Sequence, residues 1–172
     1  KNMPFVVDSV RMTLSNRMVK IHSIQYSSLE CKRLAGGKIE SLKKLPSKKS
    51  SKEISGEAFM FIELDRHSDP ASQTSLLDAI NLVMSDVSLM VNDYPKVLEK
   101  CNTINEELSS TSYKALAKDD IAEAKDFMCW LSDDRFTFLG SVDYDFTDSK
   151  QGGSFKIVKN SALGLLNSQS EF

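Results

Sequence analysis

Leu76, Ile80, Val83, Val87, Met90, Tyr94, Val97, Cys101, Ile104 and Leu108 recur at alternating intervals of four and three residues. That spacing places them on one face of an α-helix, because side chains three and four positions apart lie one above another. The pattern predicts a helix over about residues 71–109. At 1.5 Å per residue it is about 55–60 Å long. A typical strand spans only about 17–20 Å, so a single small sheet cannot cover it and its overhang calls for another partner. Ser68 or Asp69 can cap its start, with Pro70 in the first turn. Pro95 removes the bond to the Val91 carbonyl. The stripe keeps its register across Pro95, which predicts a kink rather than a break.

The remaining chain reads as short elements around this helix. Phe5, Val6, Val10, Leu14 and Met18 share a face and predict a helix over 5–18. Ile21, Ile24, Tyr26 and Leu29 predict a long strand over 20–33. Ala35-Gly36-Gly37-Lys38 is a hairpin signal, with 38–42 pairing back. The stretch 41–56, rich in lysine and serine and carrying Pro46, reads as a solvated loop. Residues 57–65, apolar on both faces in the middle, predict a strand within a sheet, with helices on one side and another body, such as a partner subunit, on the other. Residues 109–120 read as a polar connector. Asp119 or Asp120 caps a second helix with the apolar face Ile121, Ala124, Phe127, Met128 and Leu131. Residues 136–146 alternate as one half-buried strand, and 154–159 return across a turn to make a hairpin.

The bulk properties restrict the function classes. The chain has 172 residues, 41% hydrophobic and 27% charged, enough for one sizeable core. A net charge of -2 gives no basic field for nucleic acid. No continuous apolar run approaches a membrane span, and no secretory signal pattern opens the chain. Cys31, Cys101 and Cys129 are widely spaced and form no C-x-x-C, which reads as reduced thiols rather than a disulfide or metal site. His22 and His67 have no metal-ligand spacing. No G-x-G fingerprint, H-E-x-x-H or G-x-S-x-G is present. Glu63, Asp65, Arg66 and His67 cluster at a strand end, read as a surface ion-pair group before a polar site. Trp130 reads as packing. No catalytic or metal residues are assigned.

The element order is helix, two strands, helix, strand. With a strand just before Lys1 it becomes the β-α-β-β-α-β ferredoxin-like arrangement. The expected fold is therefore α+β: an antiparallel sheet with helices on one face, one very long helix and a C-terminal β-hairpin.

Three blocks carry a resemblance. Met3–Leu14, which opens Met3-Pro4-Phe5-Val6-Val7-Asp8-Ser9-Val10, residues 59–70 and residues 127–145 resemble, in order, the N-terminal region of the large bacterial NAD-specific glutamate dehydrogenases. The likeness extends to Leu163–Leu166. It implies an ACT-like regulatory domain over 1–146, its first strand lying before residue 1, and a hairpin return strand and tail over 147–172. It implies a cytoplasmic parent enzyme that uses NAD to oxidise L-glutamate to 2-oxoglutarate and ammonium, with catalysis and NAD outside this chain. The implied role is assembly and regulation: self-association or contact with other domains of the parent, and an amino-acid effector. The candidate ligand residues are Met3, Pro4, Phe5, Asp8 and Ser9, around the first helix N-terminus, whose free N–H groups favour an anion. The competing reading gives Asp8 and Ser9 to the helix surface. Amino-acid-binding ACT domains tend to have glycine where Phe5 stands, and a bulky side chain there obstructs the site. The rival for the whole chain is a purely structural interaction module without ligand.

Overall fold

The computed structural model describes residues 2–44, 56–110, 116–148 and 152–168. They form an α+β arrangement with a three-stranded antiparallel sheet, one long helix and short C-terminal strands. The chain divides into two compact units, Lys1–Val87 and Ser88–Phe172.

The first unit opens with helix α1, Val6–Asn16, which buries Val6, Val10 and Leu14. Leu14 is 0% exposed. The helix is shorter than the 5–18 expected from periodicity, because the backbone turns left-handed at both ends. Phe5 has φ 66° and Met18 φ 56°. At the C-terminal end the Met18 N–H donates to the Ser15 carbonyl and the Val19 N–H to the Leu14 carbonyl. This pairing satisfies the last carbonyls with Met18 in the position usually held by glycine. The reversal turns Met18 out of the apolar face, and it is 93% exposed.

Strand β1, Ile21–Arg33, lies between β2, Ile39–Lys44, and β3, Gly56–Leu64, all antiparallel. The β1–β2 hairpin turns through Gly36 and Gly37, at φ 96° and 83°, values that favour glycine. β2 runs to Lys44, two residues past the expected pairing. The rest of the expected loop, 45–55, lies outside the described residues. Between β1 and β3, Ile24 pairs with Ile62, Tyr26 with Met60 and Ser28 with Ala58. Directly paired residues share a face of the sheet, and this face is the more buried one. The opposite face carries Gln25, Ser27 and Phe61, all exposed. Among the described residues β3 pairs with β1 alone; on its other side the Asn2 N–H donates to the Gly56 carbonyl at 2.8 Å.

Helix α2 runs from Pro70 to Ser110. Its start is capped by Asp69, whose Oδ2 accepts the Ser72 N–H at 2.9 Å. It continues through Pro95 as one helix. Val87, Met90, Val97 and Cys101 of the stripe are buried, while Ile104 is 44% exposed. By length and composition alone α2 is long and apolar enough to cross a membrane. The sequence reading did not anticipate this, because the apolar residues are interrupted by Asp78, Asp86 and Asp93. A carboxylate near the middle of a spanning helix costs about 2.5–3.5 kcal/mol, which weighs against that use.

In the second unit, α3, Lys118–Trp130, begins one residue before the expected caps. Ala117 holds the cap position and its N–H donates to Asp120 Oδ2 at 3.3 Å. Thus Asp120 reaches back from within the first turn instead of capping. A π-helical turn, Leu131–Arg135, follows. The single strand expected over 136–146 is split. Gly140–Ser141 (β4) pairs with Leu163–Gly164 (β7), and Tyr144–Thr147 (β5) pairs with Ser154–Ile157 (β6). A short helical turn, Leu165–Ser168, follows β7. The expected half-burial holds at Phe138 and Val142 and fails in the β5–β6 ribbon. Tyr144, Phe146 and Phe155 are 51%, 58% and 72% exposed, because a two-stranded ribbon has no second layer of its own.

Candidate functional site

The α1 N-terminus is built by a turn at Pro4 and Phe5. Phe5 is the N-cap residue, left-handed and without a side-chain cap bond. Its carbonyl accepts the Ser9 N–H at 2.9 Å. Met3 is half-buried, Pro4 is exposed, and the Phe5 side chain is 47% exposed. The backbone therefore takes up a glycine-type conformation with a phenyl group attached. Asp8 lies in the first helical turn, where a negative charge complements the helix dipole. Its carboxylate faces Arg11 at 3.8 Å, both side chains well exposed. Ser9 is half-buried, and its carbonyl accepts the Thr13 hydroxyl at 2.9 Å. Asn2, just outside the turn, accepts the Tyr26 hydroxyl on Oδ1.

The Glu63–His67 cluster separates into local pairs. His22 Nε2 meets Asp65 Oδ1 at 2.7 Å, Ser23 Oγ donates to Glu63 Oε2 at 3.3 Å, and His67 Nδ1 lies 3.3 Å from Ser72 Oγ. Among the described residues no three His, Cys, Asp or Glu side chains converge to hold a metal.

Two other polar arrangements are more ordered, and both escaped the sequence reading. On the sheet, Arg33 grips Glu57 with two parallel bonds, Nε to Oε1 at 2.6 Å and a terminal nitrogen to Oε2 at 2.5 Å. This bidentate geometry is the strong form of the pair. It holds the Glu57 carboxyl down at about 2. The Cys31 thiol is pushed up, first by desolvation and then by Glu57. A raised thiol pKa disfavours the reactive thiolate.

The second lies within Ser88–Phe172. Asp93 is 8% exposed. Its Oδ1 accepts from Lys96 Nζ at 2.8 Å and its Oδ2 from the Gly164 N–H at 3.0 Å. These two bonds, Lys96 first, lower the carboxyl pKa. One helical stretch on, Lys100 Nζ donates to both Asp143 carboxylate oxygens at 2.8 Å and to the Ser161 carbonyl at 3.1 Å. The sequence signal available for Asp93 was a carboxylate beside the apolar stripe, three residues after Met90 and four before Val97. Nothing in the spacing tied it to Gly164.

Residues 1–80 match the family model described as glutamate dehydrogenase, ACT1 domain. The ACT1 match lies within the first compact unit and takes in α1, all three sheet strands and the start of α2. Over a longer stretch the chain is similar to the NAD-specific glutamate dehydrogenase of Pseudomonas aeruginosa, 32% identical over 164 residues, which is 95% of this chain and 10% of that enzyme. It is also 31% identical over 165 residues to the NAD-specific glutamate dehydrogenase of Halomonas elongata, 96% of this chain and 10% of that enzyme. The chain thus spans about a tenth of the length of the curated relatives it matches. No solved structure matches it. The ACT1 unit contains the Phe5 turn and the Arg33–Glu57 grip; the Asp93 and Lys100 bonds lie beyond it.

Proposed function

We propose that this chain is the non-catalytic, ACT1-bearing regulatory and assembly region of an NAD-dependent glutamate dehydrogenase. The parent enzyme oxidises L-glutamate to 2-oxoglutarate and ammonium in the cytoplasm, with NAD bound outside this region. The observation that carries this reading is the similarity to two such enzymes along nearly the whole chain. In this reading an extended segment ahead of Asn2 completes a ferredoxin-like sheet by running antiparallel to β3. The Asn2–Gly56 bond supports it as a first rung on that edge. Residues 1–146 act as the regulatory domain, and 147–172 act as the hairpin return strand and the tail toward the next domain.

An amino-acid effector at Met3, Pro4, Phe5, Asp8 and Ser9 is the sensing form of this proposal. The N-terminal end of the α1 dipole favours an anion, while the Phe5 ring and the Asp8 charge oppose it. Thermal unfolding of the chain with millimolar free amino acids and 2-oxoglutarate tests it. A ligand at 100 times its dissociation constant adds about 2.7 kcal/mol. A selective upward shift that Asp8→Ala alters supports sensing, and no shift with any compound removes it. The regulatory assignment itself is tested in the longer enzyme, by NAD reduction with L-glutamate. Substitutions in this region should change the response to effectors or the assembly state, without abolishing turnover as the loss of a catalytic group would.

A second reading, an interaction module without ligand, is favoured by one observation: Leu77 and Leu82 on α2 are 57% and 66% exposed. Light scattering across concentration separates the two readings.

A further inference from the structure

We propose that residues 139–148 and 152–165 form a releasable strap, pinned on α2 by Asp93 and Lys100. The strap is closed on itself. β4 pairs with β7, β5 with β6, the Leu165 N–H donates to the Leu139 carbonyl, and the Val158 N–H donates to the Asp143 carbonyl. Ser161 Oγ also accepts the Asp143 N–H at 3.0 Å. It is therefore a folded loop with its own ladders. Its apolar anchorage is incomplete: Val142, Ile157, Val158 and Leu163 are only half-buried. Gly164 is the one buried residue among the described residues of the strap, and Leu139, Tyr144, Phe146 and Phe155 are more than half exposed.

A segment whose apolar side chains are half-buried or exposed gains only part of the hydrophobic effect. What ties it to α2 is charge-assisted. Asp93 takes the Gly164 N–H near one end, and Lys100 takes Asp143 and the Ser161 carbonyl, each four residues in from an end. The two pins lie seven residues apart on α2, two helical turns along one face. Such bonds are directional, and those that reach solvent are screened by salt. Lys100 is 30% exposed and Asp143 53% exposed. Elements held by few apolar contacts open below the free energy of global unfolding. The strap is thus a local opening unit, and its release exposes the Asp93 carboxylate.

Hydrogen exchange of the 172-residue chain tests this, comparing amides of 139–147 and 152–165 with those of β1 and β3. Lys100→Gln is expected to speed exchange of the strap amides, Gly164 included, by about tenfold or more and to leave β1 and β3 unchanged. The swap Lys100→Asp with Asp143→Lys is expected to restore most of the protection. In the unmodified chain, raising sodium chloride from about 50 mM to about 1 M is expected to speed the strap selectively. Strap exchange that is indifferent to salt and to Lys100→Gln overturns the proposal. So does acceleration shared equally by β1 and β3, which would make the strap part of the global fold.

Discussion

Gly140 and Gly164 stand directly opposite each other in the β4–β7 ladder, and neither has room for a methyl group. A Cβ on Gly140 would lie 2.4 Å from the Leu163 carbonyl oxygen; one on Gly164 would lie 2.3 Å from that of Leu139. Gly164 also has φ 59°, so it is held by both space and conformation. Gly164→Ala should cost about 1–3 kcal/mol from backbone strain alone, with the clash added. Gly140→Ala meets only the clash. Chemical denaturation should therefore rank Gly164→Ala below Gly140→Ala and both below the unmodified chain.

The Arg33–Glu57 grip predicts acid sensitivity with a defined sign. The folded carboxyl is lowered from an ordinary 4.5 to about 2. The folded state therefore binds this proton less readily than the unfolded chain does. The stabilisation from this group is complete above about pH 4.5 and is lost as pH falls through about 2. Arg33→Gln should return the Glu57 carboxyl toward 4.5 and remove this part of the acid dependence. Carbon NMR titration of the Glu57 carboxyl checks it directly.

Met18 offers a stabilising change. A left-handed non-glycine residue costs roughly 1–2 kcal/mol, and glycine costs roughly 0.5–1 kcal/mol in chain entropy. Met18→Gly should therefore gain up to about 1 kcal/mol. It also removes a methionine that is 93% exposed. A higher urea midpoint with an unchanged slope is the expected result.

Leu14 is the opposite case. Fully enclosed at 0% exposure, it should cost about 2–5 kcal/mol on substitution to alanine. Met12→Ala, on the same helix but 65% exposed, should change stability by less than about 0.5 kcal/mol.

Asp69 caps α2 through the Ser72 N–H. Asp69→Ala should cost about 1 kcal/mol, and Asp69→Ser should recover most of it. Thermal unfolding followed by far-UV circular dichroism reads both.

Local signals were legible and non-local ones were not. The α2 stripe, its Asp69 cap and the Gly36-Gly37 hairpin depend on residues within a few positions of each other, so spacing reveals them. The ends of α1 misled because the backbone reverses at Phe5 and Met18, and neither residue type announces a left-handed turn. The strand over 136–146 misled for a related reason. Its alternation is real, but Gly140 is fixed by Gly164 and the Asp143 backbone by Ser161, partners some twenty residues away. At the candidate site, sequence could place Asp8 and Ser9 on α1. It could not show that Asp8 turns to Arg11. Asp93 was invisible because its meaning depends on Gly164, 71 positions away.

The side of β3 that faces away from β1 has a practical consequence. Ala58-Phe59-Met60-Phe61-Ile62 is five apolar residues in an extended strand, with no lysine or proline to blunt it. Among the described residues that side pairs only at Gly56. Such an edge is a template for adding foreign strands and for fibril-type stacking. Produced alone, the chain should clump in proportion to its concentration, and a lysine at Phe61, on the exposed face, should keep it dispersed.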